Sequence, residues 1–314
     1  MSPASVSAVI PTRDRAHLVG RAVQSALEQT LPGVEVIVVD DGSEDGTREA
    51  LEPYRGRIRY LRRERAGAAA ARNAGWRASA SEWIAFLDSD DWWEPEALER
   101  AMGAARADSS AGLVAMQAHA THPDGRRSGR VFRKKSRGPY FTSESLLRED
   151  AGCVLTPVVR RDLLDLAGGF DETLVSASDC DLWLRLSFVT RLRAVPEKLL
   201  NVRVHDGGLS RDRVTNARMW LRILEKLASE RPELLARSPS AYRRALGKER
   251  LRLGRELLAR ASRSPQLLAE ARAALASSVA AYPRFPRAFV YLAWSWIAPA
   301  TYGPWREREE ARRR

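Results

Sequence analysis

Four short apolar runs in the first 90 residues constrain the fold most, because each run ends abruptly in a polar cluster. The runs cover residues 6–10, 34–39, 58–61 and 83–87, and stretches with helical spacing of apolar side chains separate them. Each run is continuously apolar rather than alternating, which is typical of strands buried on both faces of a parallel sheet. The sequence therefore predicts an α/β protein with a doubly wound, mostly parallel sheet.

The polar clusters that follow these strands predict where a ligand binds. They are the stretches 11–14, 40–43, 62–65 and 88–91. Ligands of doubly wound sheets bind at the carboxyl ends of the strands, so we expect the clusters to meet at one edge of the sheet. None of the clusters is a Gly-rich phosphate loop, which argues against a dinucleotide site, a P-loop site and a nucleotidyltransferase.

The last cluster places Asp88, Asp90 and Asp91 within four residues of one another, directly after a strand. Carboxylates this close repel one another unless a cation lies between them, and a divalent metal ion is the usual solution. The alternative is a solvated acidic turn in which Asp91 caps the next helix. For the following pair, Trp92 and Trp93, the alternatives are core packing, which is expected for one of them, and an aromatic floor under a ligand, and the choice for the other stays open.

Charge is unevenly distributed along the chain. The formal net charge is +12, but residues 241–314 hold 16 Lys/Arg against 6 Asp/Glu, and the preceding 240 residues hold 36 against 34. A nearly neutral body does not suit a nucleic-acid enzyme. The two cysteines have no metal-site or disulfide spacing, which fits a reducing cytoplasm. We expect neither an export signal nor a membrane-spanning helix.

Six motifs then resemble, in order and spacing, the signatures of family 2 glycosyltransferases, over roughly residues 5–210. The resemblance implies the GT-A fold, a nucleoside-diphosphate-sugar donor, a divalent metal ion (Mn²⁺ or Mg²⁺) and inversion at the anomeric carbon. The motifs are AVIPTRDR from Ala8, VVDDGSEDGT from Val38, ARNAG from Ala71, FLDSDD from Phe86, GGFDE from Gly168 with SDCDLWLR from Ser178, and VRVH from Val202.

The resemblance implies a set of donor-binding residues at the strand ends. Asp41 would hydrogen-bond the edge of the base, and Asp40 would support the turn that carries Asp41. Arg72 would contact the donor, and Asp88 would lie on its ribose side. The full set is Pro11, Thr12, Arg13, Asp40, Asp41, Arg72 and Asp88.

The resemblance also implies the metal ligands. Asp90 would bind the ion directly, with Asp88 beside it, which fits the preference of Mg²⁺ and Mn²⁺ for one or two carboxylates together with phosphate oxygens. His205 follows the apolar run 199–204, at a place where the family often has a histidine near the diphosphate. The alternative for His205 is an ordinary turn residue.

Inversion by single displacement needs a base that removes the proton of the acceptor hydroxyl, and Asp179 occupies the family position for it. From spacing alone, Asp179 could equally cap the helix that follows. The family often has an acidic residue immediately before this aspartate, whereas this chain has Ser178. Asp181 could therefore share the work.

Three regions are predicted: a catalytic domain at 1–212, a helical region at 213–304 and a disordered basic tail at 305–314. Residues 288–300 are apolar and have cationic flanks. They would lie in a membrane interface next to anionic lipid headgroups, or pack as a helix on the catalytic domain.

The sequence thus predicts an inverting, metal-dependent glycosyltransferase of the hexosyltransferase type. It would move a sugar from a nucleoside-diphosphate sugar to a hydroxyl acceptor, either a glycan or a lipid-linked acceptor, in bacterial cell-surface polysaccharide or glycoconjugate biosynthesis. The expected location is cytoplasmic, with peripheral contact with the anionic inner face of the membrane and no nucleic-acid partner. The alternative function is a catalytically silent relative that binds nucleotide sugar or glycan.

Overall fold

The computed structural model describes residues 5–122, 124–132, 138–149, 155–204, 212–261 and 264–312. The chain divides into two compact units, Met1–Asp206 and Gly207–Arg314. The sequence placed the corresponding boundary between residues 212 and 213. The N-terminal unit is α/β, and the described part of the C-terminal unit is helical.

One ten-stranded sheet forms the centre of the N-terminal unit. Its main path runs in the order β3-β2-β1-β4-β9-β6-β10-β5, with β7 beside β6 and β8 beside β10. The strands are β1 Val6–Thr12, β2 Glu35–Asp40, β3 Arg59–Arg62, β4 Trp83–Phe86, β5 Trp92–Trp93, β6 Ala111–Thr121, β7 Arg127–Phe132, β8 Tyr140–Phe141, β9 Leu155–Arg160 and β10 Arg191–Arg203.

Strands β1 to β4 run in the same direction, as their continuously apolar runs predicted. Thr12 at the end of β1 lies beside Asp40 at the end of β2, which lies beside Arg62 at the end of β3. The end of β4 pairs with β1 on its other side. Because these strands run in the same direction, their carboxyl ends and the polar clusters that follow meet at one edge of the sheet.

The other half of the sheet is mixed. β9 is antiparallel to both of its neighbours, β4 and β6, whereas β10 is parallel to β6. The sequence did not predict β9, and it predicted only the last residues of the 13-residue strand β10. β10 matters for the site because its end lies next to the acidic turn after β4.

Helices cover both faces of the sheet, which explains the continuously apolar strands. In β2, Val38 packs into a cluster with α1 and α4, whereas Ile37 and Val39 pack against Ala71 of α3. The helices of this unit are α1 Val19–Leu27, α2 Thr47–Leu51, α3 Ala68–Ala78, α4 Ala97–Ala107, α5 Ser143–Glu149, α6 Arg161–Ala167 and α7 Ser178–Leu186.

The C-terminal unit has its own core, in which Leu257, Leu275 and Tyr302 are almost fully buried. Gly254 allows two of its helices to approach closely, because a Cβ atom at this position would lie 2.6 Å from Leu275 Cγ. The helices are α8 Arg213–Glu230, α9 Pro232–Leu235, α10 Pro239–Arg260, α11 Pro265–Ala281, α12 Pro286–Ile297 and α13 Pro299–Arg312.

The structure differs from the expected disordered tail at residues 305–314, because α13 continues to Arg312. Arg306 explains the difference: its guanidinium pairs with both carboxylate oxygens of Glu256, at 2.8 and 2.9 Å, and with Glu310 at 3.1 Å. These contacts fix the last helix to α10. Within the described ranges, no helix has the length and hydropathy required to cross a bilayer.

Candidate donor-binding and catalytic site

The loops after β1 and β2 hold each other in place. The amide of Asp14 donates to Ser43 Oγ at 3.0 Å, and Asp14 Oδ1 accepts from the amide of Glu44 at 2.9 Å. Asp14 adopts a left-handed backbone conformation, with φ of 48°, which aspartate tolerates better than most residues. The amide of Asp41 also donates to the carbonyl oxygen of Thr12 at 2.9 Å. The two loops therefore form one wall at the edge of the sheet.

Asp40 supports this wall from below. It is fully buried, and its Oδ1 accepts from the amide of Ser43 at 2.8 Å while Oδ2 accepts from the Tyr60 hydroxyl at 2.5 Å. Arg62 lies 3.8 Å from the same carboxylate. Burial and the bond to Asp40 raise the pKa of Tyr60 to about 12. Asp40 thus holds the turn after β2.

Asp41 connects the loop after β2 to the beginning of α3. Its two carboxylate oxygens accept from the amides of Ala66 at 3.0 Å and Gly67 at 2.7 Å, and Arg63 Nε lies 3.5 Å away. The carboxylate is 4% exposed. Each oxygen can accept a further bond, so contact with a base edge remains chemically open at this position.

The end of β1 offers an unused hydrogen-bonding group. Thr12 is buried, and its Oγ1 has no hydrogen-bond partner among the residues that the structure describes. Pro11 is buried beside it, and the partly exposed Arg13 pairs with Asp14 at 3.4 Å. Buried hydroxyl groups without a partner are uncommon, so Thr12 is a candidate for a ligand contact.

Arg72 brings the predicted catalytic and metal-binding residues into one electrostatic group. It lies on α3, and its guanidinium donates to Asp88 Oδ1 at 2.5 Å. Burial alone would lower the pKa of Arg72, but the negative charges of Asp88, Asp179 and Asp90 outweigh burial and raise the pKa. Side chains from α3, the turn after β4 and α7 therefore converge on this arginine.

The acidic turn after β4 presents two accessible carboxylates. The side chains of Asp88 and Asp90 are 49% and 21% exposed. Arg15 approaches Asp90, with 3.7 Å between its NH2 atom and Asp90 Oδ2. Sequence reasoning quoted Arg15 within the first motif but gave it no role. Its position beside Asp90 makes it a further basic residue at the site.

Asp91 does not cap the next helix, so that alternative is wrong. Glu96 occupies the N-cap position of α4, whereas Asp91 Oδ1 accepts from the amide of Arg203 in β10 at 2.9 Å. Burial, followed by the charges of Asp88 and Asp90, raises the pKa of Asp91 well above its ordinary value. Asp91 therefore ties the acidic turn to β10.

The two tryptophans after this turn are both buried. Trp93 belongs to the hydrophobic core, as expected for one of the pair. Arg21 stacks on the ring of Trp92, with 3.3 Å between its Cζ atom and the ring centroid. The ring of Trp92 is thus covered by a side chain of the protein itself.

The donor set at the acidic turn fits a divalent ion that is held by one or two carboxylates and by a ligand's phosphates. No group of three His, Cys, Asp or Glu side chains converges as a ready-made metal site in the described ranges. Asp88 and Asp90 are nevertheless both partly exposed in this turn, with Arg72 and Arg15 beside their carboxylates. His205 lies outside the described residues.

Asp179 lies in the first turn of α7 and is partly buried. The N-cap position belongs to Ala177, which is left-handed with φ of 60°, so Asp179 is not the cap residue. The ring of Phe170 packs edge-on against Phe86 of β4 and Trp183 of α7, with centroid distances of 5.0 and 5.7 Å. This aromatic cluster anchors α7 next to β4.

Asp181 has a structural partner. It is buried, and one carboxylate oxygen accepts from Nε and NH2 of Arg185 at 2.9 and 2.8 Å. Arg185 also donates to the carbonyl oxygens of Ala167 and Gly169 at 2.7 and 2.8 Å. Asp181 is thus neutralised within the α6–α7 connection, which favours Asp179 over Asp181 as the base.

Sequence reasoning missed the role of Asn73, although the ARNAG motif contains it. Its buried amide group donates to the carbonyl oxygen of Phe170 at 2.9 Å and accepts from the amide of Phe170 at 2.9 Å. It also accepts from Trp76 Nε1 at 3.0 Å and donates to Glu172 at 2.8 Å. Asn73 therefore fixes the segment before α7 to α3. The sequence signal for this role was the side-chain amide of Asn73 next to Arg72, to which the sequence analysis assigned no hydrogen-bond partner.

Comparison with known proteins points to one family. The family model described as Glycosyl transferase family 2 matches residues 7–156. Chondroitin synthase of Escherichia coli is 30% identical over 203 residues, which are 64% of this chain and 29% of that protein. An uncharacterized glycosyltransferase of Rickettsia typhi is 28% identical over 240 residues, which are 72% of this chain and 73% of that protein.

Solved structures share the fold. TarS 1-349 of S. aureus covers 99% of this chain and 92% of its own, with a TM-score of 0.65 and 17% identity. The mannosyltransferase PcManGT of Pyrobaculum calidifontis, solved with GDP-Man and Mn²⁺, covers 97% and 90%, with a TM-score of 0.56 and 22% identity. The GT-A fold expected from the sequence is confirmed. Through residues 7–156, which lie in its N-terminal unit, the chain is similar to glycosyl transferase family 2.

Proposed function

We propose that this chain is an inverting glycosyltransferase that moves a sugar from a nucleoside-diphosphate sugar to a hydroxyl acceptor and requires a divalent metal ion. The observation that carries the proposal is the convergence of Asp88, Asp90 and Asp179 on Arg72. Three carboxylates around one arginine, at the carboxyl edge of the sheet, supply both a cation-binding turn and a candidate base. The family and its relatives support this class of reaction.

The donor would lie along the wall formed by the loops after β1 and β2. Among the described residues, the Thr12 hydroxyl, which has no hydrogen-bond partner there, and the two oxygens of the Asp41 carboxylate are polar groups available to its nucleoside. Pro11 and Arg13 flank that hydroxyl, and Arg72 carries positive charge toward the acidic turn. Related structures were solved with UDP, UDP-GlcNAc and GDP-Man, which supports a nucleoside diphosphate sugar as the donor class.

The transfer step would use Asp179 as the general base. The acceptor oxygen forms a bond to the anomeric carbon as the bond from that carbon to the diphosphate breaks, and the hydroxyl proton passes to Asp179. The leaving nucleoside diphosphate carries the electron pair away. Arg72 would hold Asp88 in place through its hydrogen bond and would stabilise negative charge that develops beside it.

A divalent metal ion would be held by Asp90, by Asp88 and, as the family pattern implies, by His205. When bound, the ion supplies positive charge that stabilises the leaving diphosphate. The two partly exposed carboxylates of the acidic turn, Asp88 and Asp90, support this requirement. A related structure was solved with Mn²⁺, which supports Mn²⁺ or Mg²⁺ as the ion.

The proposed acceptor is a growing glycan or a lipid-linked hydroxyl compound of bacterial cell-surface polysaccharide or glycoconjugate assembly. The chain spans only 29% of the E. coli chondroitin synthase that it matches, so that protein's substrates are not assigned to this chain. The proposed place of action is the cytoplasm, at the inner face of the membrane.

A thermal-shift panel of nucleotide sugars, with and without Mn²⁺, tests donor binding, because a ligand that binds only the folded state raises Tm. We expect one donor class to raise Tm, and we expect Mn²⁺ to increase the shift. Asp90→Asn should remove the Mn²⁺ dependence. Asp162→Asn is the matched control, because Asp162 is exposed and pairs with Arg160 at the opposite edge of the sheet.

Hydrolysis of the stabilising donor separates an enzyme from a silent binding relative. The proposal predicts slow release of nucleoside diphosphate in the presence of Mn²⁺, with faster release when an acceptor is added. A donor that binds tightly but is never consumed, with any of a range of glycan and lipid-linked acceptors, would contradict the proposed activity and favour the silent relative.

A further inference from the structure

The outward side of α12 is unusual because every residue on it is apolar and exposed. We define the outward face of α12 as Phe289, Val290, Ala293, Trp296 and Ile297. Among its four large residues, Trp296 and Ile297 are the most exposed, at 65% and 83%. Their spacing of three, four and seven residues places them on one side of a helix. A solvent-facing helix surface normally carries charged or polar residues at such positions.

The opposite side of α12 already has its packing partners, so the outward face is not a misplaced core surface. Ala288 and Ser295 are buried, and Tyr291 packs edge-on against Tyr302 of α13 with 5.4 Å between ring centroids. Trp294 packs on the same tyrosine, at 5.3 Å. α12 is therefore fixed by one face within the C-terminal unit and presents the other face outward.

The charge around this face is positive. The 36 residues from 271 to 306 contain no Asp or Glu, and they contain four arginines. One of them, Arg272, stacks on the exposed ring of Trp296 at 3.8 Å and donates to the carbonyl oxygen of Ser295 at 2.8 Å. Two others, Arg284 and Arg287, are exposed at the beginning of α12.

The same asymmetry extends to the whole unit. Gly207–Arg314 contains 23 Lys/Arg and 10 Asp/Glu, a formal net charge of +13, whereas Met1–Asp206 contains 29 and 30, a net charge of −1. An apolar helix face complements a surface with an apolar interior. The cationic flanks and the basic unit around the face complement an anionic outer layer of that surface. A 12-residue helix is about 18 Å long, which is too short to cross a bilayer.

We infer that the outward face of α12 inserts into the interface of an anionic lipid membrane, with α12 lying parallel to the membrane plane. Trp296 and Ile297 would enter the boundary between headgroups and acyl chains, and Arg272, Arg284 and Arg287 would contact lipid phosphates. This inference deepens the proposed location at the membrane by naming the surface responsible. It does not depend on the transfer reaction.

Co-sedimentation of the full chain with phosphatidylglycerol vesicles and with phosphatidylcholine vesicles tests the inference. We expect binding to the anionic vesicles that weakens as salt is raised, since salt screens exposed charges. The double variant Trp296→Ser/Ile297→Ser should weaken binding to the anionic vesicles by roughly tenfold or more, because two large apolar side chains no longer leave water on binding. The matched control is Leu166→Ser/Val189→Ser, which removes two exposed apolar side chains from the N-terminal unit.

Two results would overturn the inference. One is the absence of binding to anionic vesicles at low salt, and the other is equal binding by the two double variants. Analytical ultracentrifugation adds a third: a dimer that dissociates in the α12 variant would assign this face to a second copy of the chain. The nucleotide-sugar thermal shift should be unchanged in both double variants, so a failure of membrane binding is distinguishable from a failure of the proposed activity.

Discussion

Arg72 of α3 donates a hydrogen bond of 2.5 Å to Asp88, the first residue of the acidic turn after β4. This pair joins two segments that the sequence separates by 16 residues, and it places one positive charge among three negative ones. Arg72 is 15% exposed, so little water is available to replace it.

Arg72→Met should therefore lower kcat/KM for the donor by roughly 10²- to 10³-fold, as expected when a positioned charge is removed from a developing anion. Steady-state kinetics of donor consumption measures this. The control is Arg77→Met on the same helix, whose guanidinium is half exposed and pairs loosely with Glu172. Equal loss in both variants would assign the effect to α3 as a whole.

Asp179→Asn should reduce turnover by roughly 10²- to 10⁴-fold while donor binding stays intact, because the amide cannot accept the acceptor's proton. Asp181→Asn should mainly reduce stability, since Arg185 would lose its buried counter-charge. Turnover and urea unfolding measured on both variants separate the two roles. Near-normal turnover in Asp179→Asn would place the base elsewhere.

Tyr60→Phe should remove a contribution to stability that depends on pH. Folding raises the pKa of Tyr60 from its ordinary value of 10 to about 12, so the folded state holds the proton more tightly. The contribution is complete below pH 10 and is lost as pH rises through 12. At pH 8, the free energy of unfolding of the wild type should exceed that of the variant by about 2 kcal/mol, because Asp40 loses a hydrogen-bond donor in the variant.

That difference in the free energy of unfolding should narrow between pH 10 and pH 12. Denaturant unfolding at several pH values measures it. A difference that stays constant over this window would mean that Tyr60 titrates alike in the folded and unfolded states.

Gly75→Ala should destabilise the N-terminal unit by about 1–3 kcal/mol, because an added Cβ would lie 2.3 Å from Val9 Cγ1 of β1. Gly103→Ala in α4 is the matched control. Nothing lies within 4 Å of its added Cβ, so alanine should stabilise α4 by about 0.5–1 kcal/mol. Urea denaturation midpoints should move in opposite directions in the two variants.

The sequence predicted the parallel half of the sheet well because its strands are local, apolar and followed by polar turns. Val6–Thr12, Glu35–Asp40 and Trp83–Phe86 each lie within two residues of the predicted runs. β9 was missed because its pairing is set by strands far away in the chain. The antiparallel neighbours of β9 are β4 and β6, and no turn-forming residues next to β9 indicate that it pairs with them.

In the candidate site, too, local motifs were predicted and contacts between distant segments were not. Motif positions led to Asp88, Asp90, Arg72 and Asp179, which the structure brings together. The bond from Asp91 to Arg203 could not be predicted, because it joins residues 112 positions apart. Tyr60 was missed for a similar reason: only pairing of β2 with β3 places its hydroxyl against Asp40.

The backbone bonds of Asp41 change how its variants should be interpreted. Both of its oxygens brace the start of α3, the helix that carries Arg72. Loss of activity in Asp41→Ala would therefore not distinguish a displacement of α3 from the loss of the proposed contact with the base. The proposed nucleotide contact is better tested at Thr12, because its hydroxyl has no hydrogen-bond partner among the described residues and can be altered without removing a bond from the scaffold.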